Sequence, residues 1–304
     1  MRDSVVLYKN RYEDRLIEEK VPGFFMIKFL YSKKYMKLFL KYMIANKFLS
    51  TLYGVYMKSF LSKRLIEPFV QMYNVNTQES EKGMSQFKNF NDFFIRKLKV
   101  NSRKIDNNDE VLISPCDGKI LVYEHLNTSD THFVKGINFN LLSLLQEKEL
   151  VMSYNKYSIS IIRLAPTDYH RFHFPLDGYV KETKLIPGLY YSVLPLALKY
   201  LHEIFIMNKR SICEILNDTI GTYLYIEVGA TMVGSIRQTY KPFTKIKKGD
   251  EKGYFEFGGS TIILLFKDGS VKFDDDLLEN SRNHVETKIS MGESIGKIFE
   301  ISGD

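Results

Sequence analysis

The sequence predicts an α+β protein, with an N-terminal helical layer followed by a β-sandwich or barrel-like domain. Two textures carry that prediction. From about Pro22 to Phe69, large apolar residues recur at helical spacing. From Val111 onward, short β-like runs alternate with Gly, Pro and Asp turns. Composition agrees, since 304 residues with 44% hydrophobic and 26% charged side chains suit a folded chain and not a disordered one. We place the division near residue 100, with a basic helical region over 1–100 and a β-rich domain over 101–304.

The charge is uneven. Residues 1–66 hold 14 Lys and Arg against 5 Asp and Glu, while the remainder holds 29 against 31. Within the basic part, Phe24, Phe25, Met36, Phe39 and Met43 fall roughly on one helical face, and Lys33, Lys34, Lys37 and Lys41 on the other. Such a segment can lie in a membrane interface with its lysines towards anionic head groups, or pack as a layer with a solvated lysine face. Nucleic acid is disfavoured, because the basic residues alternate with large aliphatics and form no groove-reading motif. No run of 18 uncharged apolar residues suggests a transmembrane helix, and the first residues do not read as a secretory signal. Cys116 and Cys213 are far apart and imply neither a disulfide framework nor a metal knuckle, so a reducing cytoplasm is expected.

Asn89 to Lys99 reads as a short helix that Asn91 or Asp92 could cap, followed by a polar turn stretch over 101–110. The strand candidates are Lys119–Tyr123, Tyr157–Leu164, Tyr179–Leu185, Ser211–Leu216, Tyr223–Val228, Thr231–Ile236, Tyr254–Phe257 and Thr261–Phe266. One helix, about Leu194 to Asn208, interrupts them.

Three stretches could carry chemistry. Ser114-Pro-Cys-Asp-Gly118 is by itself a turn. His170 and His173 stand three apart in a proline-bounded aromatic segment, a spacing open to a zinc pair or to a base beside a serine. Gly253 to Phe266 reads either as a plain β-hairpin turning at Gly258-Gly259 or as a site where Ser260 is a reactive hydroxyl beside a sterically naked peptide bond. A serine hydroxyl needs a base before it attacks anything.

Read in order, several motifs resemble those of the phosphatidylserine decarboxylase family. They are Asn91-Asp-Phe-Phe-Ile-Arg-Lys-Leu-Lys99, Ser114-Pro-Cys-Asp-Gly118, Asp168-Tyr-His-Arg-Phe-His-Phe-Pro175, Val228-Gly-Ala-Thr-Met-Val-Gly-Ser-Ile236 and Phe257-Gly-Gly-Ser-Thr261. The resemblance spans roughly Leu52 to Lys297. It implies a pyruvoyl-dependent carboxy-lyase that turns phosphatidylserine into phosphatidylethanolamine and CO2 through a Schiff base. It also implies a proenzyme in which Asp117, His173 and Ser260 match the self-processing triad. Ser260 would attack the Gly259 carbonyl with His173 as base, and Ser260 would become a covalent pyruvoyl group. The products would be a β chain of residues 1–259 and an α chain of residues 260–304, held as a heterodimer that could pair again. His170 matches a position that would contact the leaving carboxylate or share the proton transfer. No metal is implied. The substrate, an anionic lipid, favours the interfacial reading of the basic region and a peripheral place on the cytoplasmic side of the cell membrane. This chain departs from the family at Cys116, where Ala is usual, at Gly258, where Leu is commoner, and at Leu194-Pro195, where Asn-Pro is common. A zinc hydrolase using His170 and His173, or a non-catalytic membrane-docking β module, would each keep the chain intact.

Overall fold

The computed structural model describes residues 6–13, 15–21, 24–32, 47–128, 132–134, 137–230 and 235–300. Lys33, Lys34, Lys37 and Lys41, with Met36, Phe39 and Met43, lie outside the described residues. The N-terminal region carries the expected helices α1 (Phe24–Ser32), α2 (Lys47–Lys58), α3 (Ile66–Tyr73) and α4 (Phe90–Phe94). It also contains a hairpin that helical periodicity did not reveal, β1 (Leu7–Asn10) with β2 (Arg15–Glu18). The cap of α4 is Asn89, whose side chain accepts from the Asp92 N–H at 2.8 Å. Asn91 and Asp92 are used elsewhere, Asn91 accepting from Phe257 N and Asp92 from Lys88 N.

Short strands follow, as expected from Val111 on. They are β3 (Val111–Ile113), β4 (Gly118–Asn127), β5 (His132–Val134), β6 (Ile137–Phe139), β7 (Lys156–Leu164), β8 (Arg171–His173), β9 (Gly178–Val180), β10 (Lys184–Ile186), β11 (Arg210–Asn217) and β12 (Gly221–Gly229). The remainder are β13 (Ile236–Gln238), β14 (Thr244–Ile246), β15 (Glu251–Phe255), β16 (Ser260–Lys267), β17 (Val271–Phe273), β18 (Glu286–Ile289) and β19 (Ser294–Ile298). The expected strand Tyr179–Leu185 is two, β9 and β10, both paired with β11. The expected helix over 194–208 is likewise two, α5 (Pro195–Tyr200) and α6 (Ile204–Met207), parted at Leu201, which is extended at φ −140°. Of the candidate strand Thr231–Ile236, residues 231–234 lie outside the described residues.

Eleven strands form one sheet in the order β14-β9-β11-β12-β16-β7-β4-β18-β1-β2, with β10 also on β11. Both ends of that order are open among the described residues, so the sheet is not a closed barrel. All its pairings are antiparallel except β1 with β18. At its centre β16 lies between β12 and β7, with Ile262, Ile263, Leu264, Leu265 and Phe266 fully buried. An unbroken apolar run suits a strand covered on both faces, where alternation would bury polar groups. A second sheet, β13-β15-β8, packs Phe172 against Tyr225 of β12 at a ring distance of 6.1 Å.

The expected Gly253–Phe266 hairpin does not form. β15 pairs with β13 and β8, whereas β16 pairs with β12 and β7. Gly258-Gly259 is therefore a corner between two sheets. Each arm already has strands on both edges, which leaves no edge for the arms to share.

Candidate active site

Ser260 is the first residue of β16, and its register partners are Leu164 on β7 and Gly229 on β12. Everything after it is thus clamped between two strands, while the bond before it sits in the corner. Gly258 has φ +143°, a conformation open to glycine and strained for a residue with Cβ. Gly259 has room around it, since a Cβ there would meet only Val193 and Ala230, each at 3.7 Å.

The corner is held from outside by the N-terminal helices. Phe257 N donates to Asn91 Oδ1 at 3.0 Å, and the Phe257 ring packs against Tyr53, Phe90 and Phe94 at 5.7, 5.1 and 4.9 Å. Lys58 pairs with Glu256 at 2.8 Å. The aromatic α4 motif is therefore the brace of the corner. Ser260 itself is fully buried, and its Oγ has no hydrogen-bond partner. Ser158, Ser160, Tyr223 and the neighbouring Thr261 also bury hydroxyls without a partner, so what sets Ser260 apart is its place directly after the glycine corner.

The two histidines stand around β8 with different surroundings. His173 Nδ1 lies 2.8 Å from the Gly249 carbonyl, which can only accept, so Nδ1 carries the proton and Nε2 the lone pair. Nε2 lies 3.2 Å from the Tyr169 hydroxyl, and the two rings stack. Burial pushes the Tyr169 phenol up, so it remains a donor to that lone pair. Burial pushes His173 down from the usual histidine range, opposed in part by the Gly249 carbonyl and the charges of Glu251 and Asp117. Gly249 has φ +86°, which lets the turn before β15 aim its carbonyl at the ring.

His170 Nδ1 donates to the Asp168 carbonyl at 2.9 Å, which again leaves Nε2 with the lone pair. That nitrogen is buried and unpartnered, and the ring lies 3.9 Å from Phe94. Burial is the first cause that brings the His170 pKa down to about 4, against the raising effects of the Asp168 carbonyl and carboxylate. It is thus a neutral base at physiological pH, held dry. An unfolded histidine takes up its proton near 6.5, so between about 4 and 6.5 the unfolded chain binds the extra proton and stability falls as pH is lowered. From this group alone the loss between pH 7 and pH 5 is about 2 kcal/mol. Urea denaturation of His170→Gln at the two pH values is expected to show a pH dependence smaller by about that amount. An unchanged dependence would mean that His170 is readily protonated in the folded protein.

Asp117 is bound by Arg103 through both guanidinium branches, at 2.9 and 2.5 Å, and accepts from Met291 N at 2.9 Å. Arg103 also pairs with Glu79 at 3.0 Å. Asp117 is near enough that its charge favours protonated His173, yet among the described residues no hydrogen bond links Asp117, His173 and Ser260 to one another. The three do not form a hydrogen-bonded chain among the described residues. A second carboxylate, Asp168, is held by Lys119 at 2.8 Å and by Ala165 N at 2.7 Å. Burial acts to raise Asp168, but Lys119 and these hydrogen bonds win and hold it below its ordinary value. Lys119 also reaches Glu19, at 3.3 Å, and Arg163 joins Glu19 to Glu286 at 2.7 and 2.6 Å. The N-terminal hairpin is thereby tied beneath the site.

Sequence reading missed Tyr169, Asp168 and Arg103. The first two stand inside the histidine motif, where residue type alone gives them no distinct role. Arg103 had no local signal, being 14 residues from its partner. Cys116 is a free, buried thiol that burial pushes well above its ordinary pKa, so it is inert. Among the described residues no three His, Cys, Asp or Glu side chains are grouped to hold a metal ion.

Comparison with known proteins bears on this arrangement. The sequence profile of a family described as phosphatidylserine decarboxylase matches residues 90–297. Among similar proteins, the phosphatidylserine decarboxylase proenzyme of Fusobacterium nucleatum subsp. nucleatum is 45% identical over 97% of this chain and 99% of its own length. That of Clostridium botulinum strain Hall is 45% identical over 96% of this chain and 99% of its own. The proenzyme of Ruminiclostridium cellulolyticum is 42% identical over 96% and 97%.

Proposed function

The chain belongs to the phosphatidylserine decarboxylase family, and we propose from that premise that it matures by breaking its own Gly259–Ser260 bond. It is a carboxy-lyase acting on phosphatidylserine. The observation that carries the processing step is the buried, unpartnered Ser260 hydroxyl at the head of a clamped central strand, directly after a corner that only glycine adopts easily.

In this reading His173 Nε2 takes the Ser260 proton and Oγ attacks the Gly259 carbonyl carbon. The Gly259 C–N bond breaks, the amine leaves protonated, and residues 259 and 260 are joined by an ester. Loss of the Ser260 α-proton then expels the Gly259 carboxylate and leaves dehydroalanine at 260. Water converts that residue to a pyruvoyl group with release of ammonia. Tyr169 has to yield Nε2 for the first proton to arrive, so it sets the resting orientation of the base. Asp117 and Asp168 supply negative charge on the histidine side, each fixed by its own cation. His170 is the second base, with its lone pair free and its ring pinned on Phe94. Its Nε2 takes up the proton that the substrate ammonium gives up on binding and returns it to the substrate carbon after CO2 leaves.

A pyruvoyl group at 260 supplies a carbonyl that binds the substrate amine and an electron sink for the pair left behind by CO2. The site suits it, because the Ser260 hydroxyl is committed to no other group and the surroundings are dry. After cleavage the α chain, 260–304, cannot leave easily, since its β16 lies between β12 and β7 of the β chain. Intact-mass measurement tests the whole reading. Two fragments meeting at 259/260, the smaller with a blocked, keto-bearing end, are expected, and a chain that stays whole on prolonged incubation overturns it.

The lipid substrate requires contact with a membrane surface. No helix among the described residues is long and apolar enough to cross one. The N-terminal helical region instead exposes Phe25, Phe29, Leu52, Val55, Phe60 and Leu61, in a part of the chain with excess positive charge. This composition supports peripheral docking on the cytoplasmic face, with the aromatic and aliphatic side chains among the acyl chains. Changing Phe60 and Leu61 together to Asp is expected to weaken cosedimentation with phosphatidylserine-containing vesicles at least tenfold, since each large apolar side chain contributes about 1.5–3 kcal/mol when buried. Unchanged vesicle binding would remove these two residues from the docking surface.

A further inference from the structure

Behind Asp117 and Asp168 lies a cavity of about 520 Å³, whose lining includes neither His170, His173 nor Ser260. Its walls carry both signs of charge, but most of those charges are already matched. Arg103 is taken by Asp117 and Glu79, and Lys119 by Asp168 and Glu19. Arg96 is the exception. It lines the cavity with only 6% of its surface exposed, and no ion pair holds it among the described residues. Its contacts are one long hydrogen bond to the Thr167 carbonyl, at 3.4 Å, and the face of Phe93 at 5.0 Å. Its Nε–H is buried and has no partner.

A guanidinium presents five N–H groups in a planar fork, and a buried cation without an anion is among the more costly features a fold can carry. The chain just after α4 nevertheless holds Arg96 there, with its guanidinium over the face of Phe93. We infer that this cavity is a binding site for a small carboxylate, received by the Arg96 fork. The match is geometric, because a carboxylate accepts two parallel N–H bonds from one guanidinium. The charge should be single, since Asp117, Asp168 and Glu79 all act on Arg96 and would repel a dianion. Glu18, Lys20, Asn74, Asn76 and Lys288 of the lining are exposed, so the cavity opens to solvent.

This inference is independent of the processing chemistry and concerns a site apart from Ser260. The test uses the purified full-length protein and acetate as probe, with sulfate as the dianion, followed by calorimetry and by the guanidinium NMR signals of Arg96. Saturable acetate binding that moves the Arg96 Nε–H resonance is expected, with sulfate at least tenfold weaker. Arg96→Met should lose the binding, and Arg96→Lys, which keeps the charge but not the fork, should weaken it at least tenfold. Should Arg96→Met fail to fold, the resonance shift in the unmodified protein still decides. Acetate binding that leaves Arg96 unmoved, equal affinity for sulfate, or no saturable binding would each overturn the site. None of these outcomes touches the cleavage at 259/260, which the mass measurement reads separately.

Discussion

Ser260→Ala is expected to remain a single chain of 304 residues and to show no decarboxylase activity, while folding as well as the unaltered protein. The loss should be complete, because without Oγ no ester can form and no pyruvoyl precursor exists. Folding should be spared for a specific reason. The hydroxyl makes no hydrogen bond in the buried site, so its removal leaves no partner stranded. Stability is therefore expected within about 1 kcal/mol of the original, and in the direction of a gain. His173→Ala should also stay whole, and Tyr169→Phe should cut more slowly, because the phenol orients the imidazole. Mass spectrometry and urea melts of the same preparations separate chemistry from stability. A Ser260→Ala protein still cut at this bond would require a different nucleophile.

Lys252→Met is expected to destabilise the protein by about 3–5 kcal/mol, the usual result of stranding one member of a buried ion pair. Lys252 and Glu227 are both without solvent exposure and are joined at 2.5 Å. Gln238 accepts from Lys252 at 2.9 Å, Ser211 donates to Glu227 at 2.5 Å, and the rings of Phe172, Phe174, Tyr225 and Tyr240 surround the ammonium at 4.8–6.0 Å. The β-bulge between Glu251 and Gly253 places Lys252 in this position, and Glu251 is the register partner of His173. Loss of the pair should therefore also loosen the strand that carries the processing base and slow cleavage. Lys252→Met combined with Glu227→Gln removes the stranded charge and is expected to recover most of the stability. Urea denaturation of the two variants decides. A single variant within 1 kcal/mol of the original, or a double variant no better than the single, would show that the pair contributes little.

Much of the β-rich domain was legible residue by residue. Tyr157–Leu164, Ser211–Leu216, Tyr223–Val228 and Thr261–Phe266 all lie in strands as expected, and the unbroken run Ile262–Phe266 suits a strand covered on both faces. Helix α4 was visible, but its cap was misplaced by two or three residues, since Asn89, Asn91 and Asp92 are all competent caps. Only the demand of Phe257 N for a buried acceptor assigns Asn91 elsewhere. The hairpin expectation failed for a related reason. Gly-Gly satisfies a two-residue turn and an inter-sheet corner equally well, because both need backbone freedom and neither leaves a mark on the flanking apolar pattern.

The sequence by itself determined the fold class and the family motifs, and it singled out Asp117, His170, His173 and Ser260 as the residues to test. Those conclusions rest on residue type and order, which local chemistry constrains. Only the tertiary structure decided the partners of those residues. It gave Asp117 to Arg103 and His173 to Tyr169 and Gly249, and it left His170 Nε2 and Ser260 Oγ dry and unpaired. Hydrogen-bond partners and desolvation depend on side chains brought together from distant positions, and no pattern along the chain encodes which of several competent donors arrives first.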